Sequence, residues 1–209
     1  MPLQNRVDPH GAIFRSPARG TFMGNRGALH NDRREIVRPF KVQRWIACVL
    51  EFKGRHRSVM APGRYTELFF LDEAVALAAG HRPCAECRRQ EFNAFRDAWT
   101  HPDGKTLSAP EIDAQLHRAR IDSHGCKLTY RAAMNSLPNG CFIALDDSAW
   151  LVWDDALLLW TPERYAKKMR RPSALAATVL TPRPIVQCLR HGYVPQMHYS
   201  LRSPAPSVY

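Results

Sequence analysis

Cys84-Ala85-Glu86-Cys87 sets two thiols two residues apart, a spacing at which a tight turn can aim both sulfurs at one soft metal ion. The preceding residues favour such a turn: Gly80 can end a helix at low steric cost and Pro83 fixes one backbone angle. Two sulfurs are half of a tetrahedral site. Without a metal the pair would be two partly buried thiols. A thioredoxin-like redox pair normally opens a helix after a buried strand, whereas this pair follows a helical pattern.

Other residues carry proton or phosphate chemistry. Glu67 stands beside Arg64 and Tyr65 at a predicted strand start, so it is a candidate general acid or base, with a surface ion pair as the structural alternative. His30 and His198 titrate near neutral pH and are candidate proton carriers, or hydrogen-bonded structural groups. Residues 17–27 place glycines around Arg19, Asn25 and Arg26, which could cradle a phosphate or a flipped base, or form a flexible arm. The segment is neither a Walker loop nor a dinucleotide fingerprint. Asp146-Asp147 and Asp154-Asp155 are adjacent carboxylates that would alternate faces on a strand, so they read as turn residues. Trp150, Trp153 and Trp160 could stack on bases but more commonly build a core. Cys141 and Cys188 lie on apolar faces and read as core residues.

These groups need elements to hold them. The chain has 209 residues and 45% apolar content, enough to bury a core without crosslinks. Residues 1–40 read as a basic, glycine-rich, loop-dominated segment. Trp45 to Phe52 and Glu67 to Leu71 read as strands, separated by a basic loop with a Pro62-Gly63 turn. Asp72 caps a helix over Glu73 to Ala79, and a second helix from about Ala85 to Trp99 buries Phe92, Phe95 and Trp99. Residues 41–100 therefore form a ββαα unit. A linker over Thr100 to Pro110 leads to a region over 101–209 with a helix to about Arg120, a hairpin from Cys141 to Trp153, and a last helix from Thr181 to Gly192. Residues from Ser200 onward read as frayed. The expected fold class is α+β, with the ββαα unit supported by a metal.

The net charge is +11, from 30 Lys and Arg against 19 Asp and Glu, and only six of the cations are lysine. Arginine pairs with phosphate bidentately and stacks on bases, which points to a polyanion, DNA by default and RNA as the alternative. The cations concentrate early, at Arg15, Arg19, Arg26, Arg33, Arg34, Arg38 and Arg44, then Arg55, Arg57 and Arg64. Six cysteines without a signal-like start point to a reducing cytoplasm. The longest apolar run, Ala149 to Trp160, is broken by Asp154 and Asp155, so no membrane partner is expected.

From Trp45 to Arg89 the chain resembles the zinc-binding N-terminal domain of the adaptive-response alkylation DNA repair protein Ada and the small Ada-like metal-binding modules. Phe69-Phe70, Glu73-Ala74, Ala78-Ala79-Gly80 and His81-Arg82-Pro83-Cys84 with Cys87 carry the likeness. The resemblance implies Zn2+ as cofactor, Cys84 and Cys87 as two of four ligands, and a DNA-contacting surface. Lys53 and Arg57 stand where the family has its other two cysteines, one of which accepts the methyl group in Ada, so self-methylating repair is not implied here. The nearest candidates for the missing ligands are Cys48 and His56, with Cys126 and His124 in reserve. Four protein ligands would make the zinc structural.

The leading expectation is a zinc-containing DNA-binding protein with a repair or processing role, in which Arg19, Asn25, Arg26, Arg55, Arg57 and Arg64 meet the nucleic acid. A second is a nucleic-acid-directed enzyme, glycosylase-like or nuclease-like, using Glu67 and His30. A third is a small-molecule or protein-binding module whose basic charge is incidental.

Overall fold

The computed structural model describes residues 1–55, 58–99, 104–172 and 175–202. In chain order the elements are β1 (Gln4–Val7), β2 (Ile13–Arg15), β3 (Phe22–Asn25), β4 (Ile46–Cys48), β5 (Leu68–Phe70), α1 (Glu73–Ala78), β6 (Arg82–Pro83), α2 (Arg89–Ala98) and α3 (Ala109–Arg120). They continue through β7 (Tyr130–Ala133), β8 (Phe142–Leu145), β9 (Ser148–Trp153), β10 (Ala156–Trp160), β11 (Tyr165–Arg170), β12 (Ala176–Val179) and α4 (Arg183–Arg190). The fold is α+β. No helix among the described residues is long and apolar enough to cross a membrane.

Two six-stranded sheets organise the chain, one ordered β2-β1-β5-β3-β4-β6 and the other β11-β10-β9-β8-β12-β7. The first sheet corrects the expectation for residues 1–40. They supply three strands, and β3 lies centrally between β5 and β4. The glycines of this segment serve strand packing: a Cβ on Gly24 would lie 2.2 Å from the carbonyl oxygen of Ile46, and one on Gly20 at the same 2.2 Å from that of Phe70. Gly24→Ala is therefore expected to destabilise the fold by about 3 kcal/mol, because the clash is with backbone that cannot step aside. A urea midpoint unchanged from the wild type would contradict this.

The strands and helices expected over residues 41–100 are present, but they are not a free-standing ββαα unit. β4 and β5 flank β3, and the short β6 between the helices pairs in parallel with β4. Asp72 caps α1 as expected, accepting from the Val75 amide at 3.0 Å, and Gly80 leaves the helix at φ 87°. α1 is buried along its whole length. Its alanines let it sit close to the first sheet, in an apolar cluster that also takes in Phe142, Leu151 and Leu158 from the second sheet. A second cluster packs α2, α3 and α4 on the other sheet and contains Phe92, Phe95, Trp99, Cys141 and Cys188, as their apolar settings predicted.

The hairpin is confirmed as β8–β9. Asp146 and Asp147 form its two-residue turn, both with positive φ as a turn matched to strand twist requires, and Asp154-Asp155 make the next turn between β9 and β10. Trp150, Trp153 and Trp160 pack against the two cores. In this second sheet four strands were not expected: β7, β10, β11 and β12. β11 lies at the sheet edge with Lys167 and Lys168 exposed, so charge hides its strand pattern while protecting the edge from further pairing. The last helix starts at Arg183 with Pro182 as its N-cap, because Thr181 turns inward and accepts the Phe142 amide at 2.9 Å. Ser200 is not frayed. It is buried in a 3-10 turn, and its Oγ accepts from the Tyr165 amide at 3.0 Å. Part of the proposed linker, 100–103, and the tail, 203–209, lie outside the described residues.

Much of the arginine is internal. Arg26, Arg82, Arg88 and Arg120 are among the largest fully buried side chains. Arg82 forms a two-bond ion pair with Asp113, both contacts at 2.8 Å, which ties α3 to β6. Arg26 and Arg120 stack on the Trp45 ring at 4.2 and 3.8 Å, and Arg120 donates to the carbonyls of Gly80 and Gln43. Long side chains of this kind bury their stems and rings of charge against aromatic faces while reaching backbone oxygens.

Candidate metal centre and adjoining pocket

Cys48, Cys84 and Cys87 converge, with ligand atoms all within 4.8 Å of one another. The placement follows from pairing. β4 and β6 run in parallel with Ala47 opposite Pro83, and the Cys84 amide donates to the Ala47 carbonyl at 2.9 Å. Cys48 at the end of β4 is thereby carried alongside Cys84. The turn then tightens as the Arg88 amide donates to the Cys84 carbonyl at 3.1 Å, which swings Cys87 back towards the other two sulfurs.

The sulfur spacing fits a thiolate-bound ion, since tetrahedral bonds of about 2.3 Å to zinc separate the sulfurs by about 3.8 Å. The Glu86 amide points at the Cys84 sulfur at 3.5 Å and can stabilise charge on it. Hydrogen bonds from the Cys48 and Cys87 thiols drive the Cys84 thiol strongly down, while Cys48 is driven strongly up, chiefly by its hydrogen bond with Cys84. For Cys87 the bond with Cys48 pulls down, but the bond with Cys84 and burial outweigh it, and the thiol is raised. The thiol protons of Cys48 and Cys87 are thus directed at the Cys84 sulfur. A soft cation replaces those protons and lets all three ionise, so the cluster could hold a metal ion.

Of the proposed ligands, Cys48, Cys84 and Cys87 are brought together, and His56 lies outside the described residues. The reserve residue Cys126 is exposed and is not part of the cluster.

The triad stands in the wall of a cavity of about 520 Å3. Period-two alternation builds its floor: Phe22 and Gly24 of β3 are buried towards the core, while Met23 and Asn25 face the cavity with Ile46, Cys48, Phe69 and Glu67. The β3–β5 register sets Met23 against Phe69 and Gly24 against Leu68, and its continuation by one residue sets Asn25 against Glu67. Arg44 and Arg55, both exposed, also line the cavity. Arg55 pairs with Glu86 inside the Cys-x-x-Cys turn at 2.8 Å, which ties the basic loop to the metal turn.

The other proposed residues are placed as follows. Glu67 is 5% exposed, and its Oε2 accepts from the Met60 amide at 2.8 Å. It has no ion pair with Arg64 among the described residues. His30 is fully engaged outside the cavity: Nε2 donates to the Ala61 carbonyl at 3.2 Å, which leaves Nδ1 to accept from the Thr66 hydroxyl at 2.6 Å. Both ring nitrogens are thus bonded, which pins the basic loop to the start of β5. His198 lies outside the cavity lining, with Nδ1 against the Ser200 hydroxyl at 2.7 Å. Arg19 and Arg64 are exposed and available to phosphate, and Arg57 lies outside the described residues. Arg26 is the departure. At 2% exposure it donates to the Gly11 carbonyl and to His81, so it supports Trp45 and presents no surface to a phosphate.

Sequence reasoning did not find the cavity itself. The signal was present in the alternation of Met23 and Asn25 with Phe22 and Gly24, which a loop assignment conceals. No protein-family model, curated protein or solved structure matches this chain.

Proposed function

We propose that this chain is a zinc-containing nucleic-acid-binding protein, with Cys48, Cys84 and Cys87 as metal ligands and DNA as the preferred partner. The convergence within 4.8 Å of two thiols from one turn and a third from the end of β4 carries the proposal, since a cluster of this kind suits a soft divalent ion. Zinc would fix the end of β4 to the metal turn and, through the Arg55–Glu86 pair, anchor the basic loop beside the cavity. His56 is a candidate fourth ligand on the same loop. A role in DNA repair or processing rests on the Ada-like sequence around Cys84 and Cys87.

The exposed cations Arg19, Arg44, Arg55 and Arg64 supply the phosphate contacts in this proposal. Each phosphate neutralised on duplex DNA contributes about 0.9 to the slope of log affinity against log salt, so four contacts give a slope near −3.6 and roughly a 100-fold loss between 50 and 200 mM salt. Fluorescence anisotropy with a labelled duplex measures the slope. Arg64→Ala should reduce it by about one unit. A flat salt dependence would remove nucleic acid as the partner, whereas purified protein with no stoichiometric zinc would remove the metal.

A further inference from the structure

Glu67 is a buried side chain that lines the cavity. One carboxylate oxygen is held by the Met60 amide, and the other, Oε1, has no partner among the described residues although the side chain lines the cavity. That oxygen therefore stands open to the cavity as a hydrogen-bond acceptor for whatever occupies it. Asn25 presents the complementary group. Its Oδ1 accepts from the Gly27 amide at 3.3 Å, which fixes the amide orientation and leaves Nδ2 as a donor with no partner among the described residues. One acceptor and one donor therefore stand on neighbouring strands at the same level. Beside them lie apolar surfaces of Met23, Ile46 and Phe69, with Arg44 and Arg55 also lining the cavity.

We infer that this cavity binds a single unpaired nucleobase of a nucleic-acid strand, with Glu67 accepting from and Asn25 donating to adjacent positions on the base edge. The inference deepens the nucleic-acid-binding proposal and rests on it. A base edge offers donor and acceptor side by side, its faces suit apolar walls, and its attached phosphates suit the two arginines. About 520 Å3 lies within the range of pockets that enclose small ligands and accommodates a nucleotide unit, while a paired base inside a duplex cannot reach the floor.

Competition binding tests it, with a fully paired duplex against the same duplex carrying one bulged base, each of the four bases in turn. The wild-type protein is expected to prefer at least one bulged duplex by about tenfold or more, the discrimination that a well-placed hydrogen-bond pair provides. Glu67→Gln, which keeps the side-chain shape, and Asn25→Ala, on a different strand, should each bring that ratio towards one; thermal melts confirm that at least one variant is folded. Equal binding of paired and bulged duplexes overturns the inference while leaving nucleic-acid binding intact, and so does a preference that survives in both variants. Failure to bind any duplex at low salt overturns the nucleic-acid proposal and this inference together.

Discussion

Cys84→Ser is expected to abolish stoichiometric zinc binding and to lower the unfolding midpoint by roughly 10–15 °C. Of the three sulfurs, Cys84 receives both the neighbouring thiols and the Glu86 amide, so its loss removes the sulfur that the other two are arranged around. The binding free energy of a structural metal is folding free energy, because the unfolded chain has no such site. The apolar clusters of this protein persist without the ion, so the loss is put at about 4 kcal/mol, well below the full value for a small zinc finger. For a chain of this size each kcal/mol is worth about 2–4 °C. Elemental analysis of purified protein and melts with and without chelator give the measurement. Cys126→Ser is the control, since that thiol is exposed and outside the cluster. Wild-type zinc content in Cys84→Ser would refute the assignment of the site.

Glu73→Gln is expected to cost about 3–5 kcal/mol in urea denaturation. Arg88 follows Cys87 directly and its guanidinium meets both oxygens of Glu73 at 2.7 and 2.8 Å, with side-chain exposures of 1% and 0%. The Tyr193 hydroxyl and the Gln196 amide also donate to Glu73, which draws the C-terminal segment onto α1, and Arg88 lies over the Phe22 ring at 4.7 Å. Neutralising the carboxylate leaves a buried guanidinium whose remaining counter-charge is Glu91, 3.9 Å away and partly exposed, too distant to replace the two short contacts. The same change should loosen zinc binding, since Arg88 anchors the end of the metal turn. Replacing both members with apolar residues, Glu73→Leu with Arg88→Met, should cost less than the single change, because no charge is then stranded. A single-variant cost below about 1 kcal/mol would show that solvent reaches the pair.

Local chemistry was legible wherever neighbours in sequence act on one another. The Asp72 cap, the Gly80 stop, the helix over Phe92 and Phe95, the β8–β9 hairpin and the turn roles of Asp146-Asp147 and Asp154-Asp155 all depend on residues within a few positions. The Cys84 and Cys87 pair belongs with them, since two residues of spacing is enough to aim both sulfurs one way. Cys48 was reached by proximity to that pair, and the parallel β4–β6 pairing supplies the physical cause.

The failures have a common origin. Residues 1–40 look like loop because glycine and arginine suppress strand patterning, yet Gly24 is where backbones of two strands meet too closely for a side chain. Arginine was read as a measure of the partner, and its total cannot separate Arg64 at the surface from Arg26, Arg82, Arg88 and Arg120 inside. Composition counts charges, whereas burial and pairing depend on which carboxylate, ring or carbonyl comes to lie beside each one.

By itself, then, the sequence determined the mixed class of the fold, the turn that presents two sulfurs, and an excess of cations. Only the tertiary structure decided that Cys48 completes a three-thiol cluster, that Glu67 is an enclosed carboxylate with an oxygen to spare, and that Asn25 stands level with it. The reason is distance along the chain. Asn25, Cys48, Glu67 and Cys84 are separated by about twenty residues at each step, and nothing local specifies their meeting; the order and register of β5, β3, β4 and β6 place them on one face.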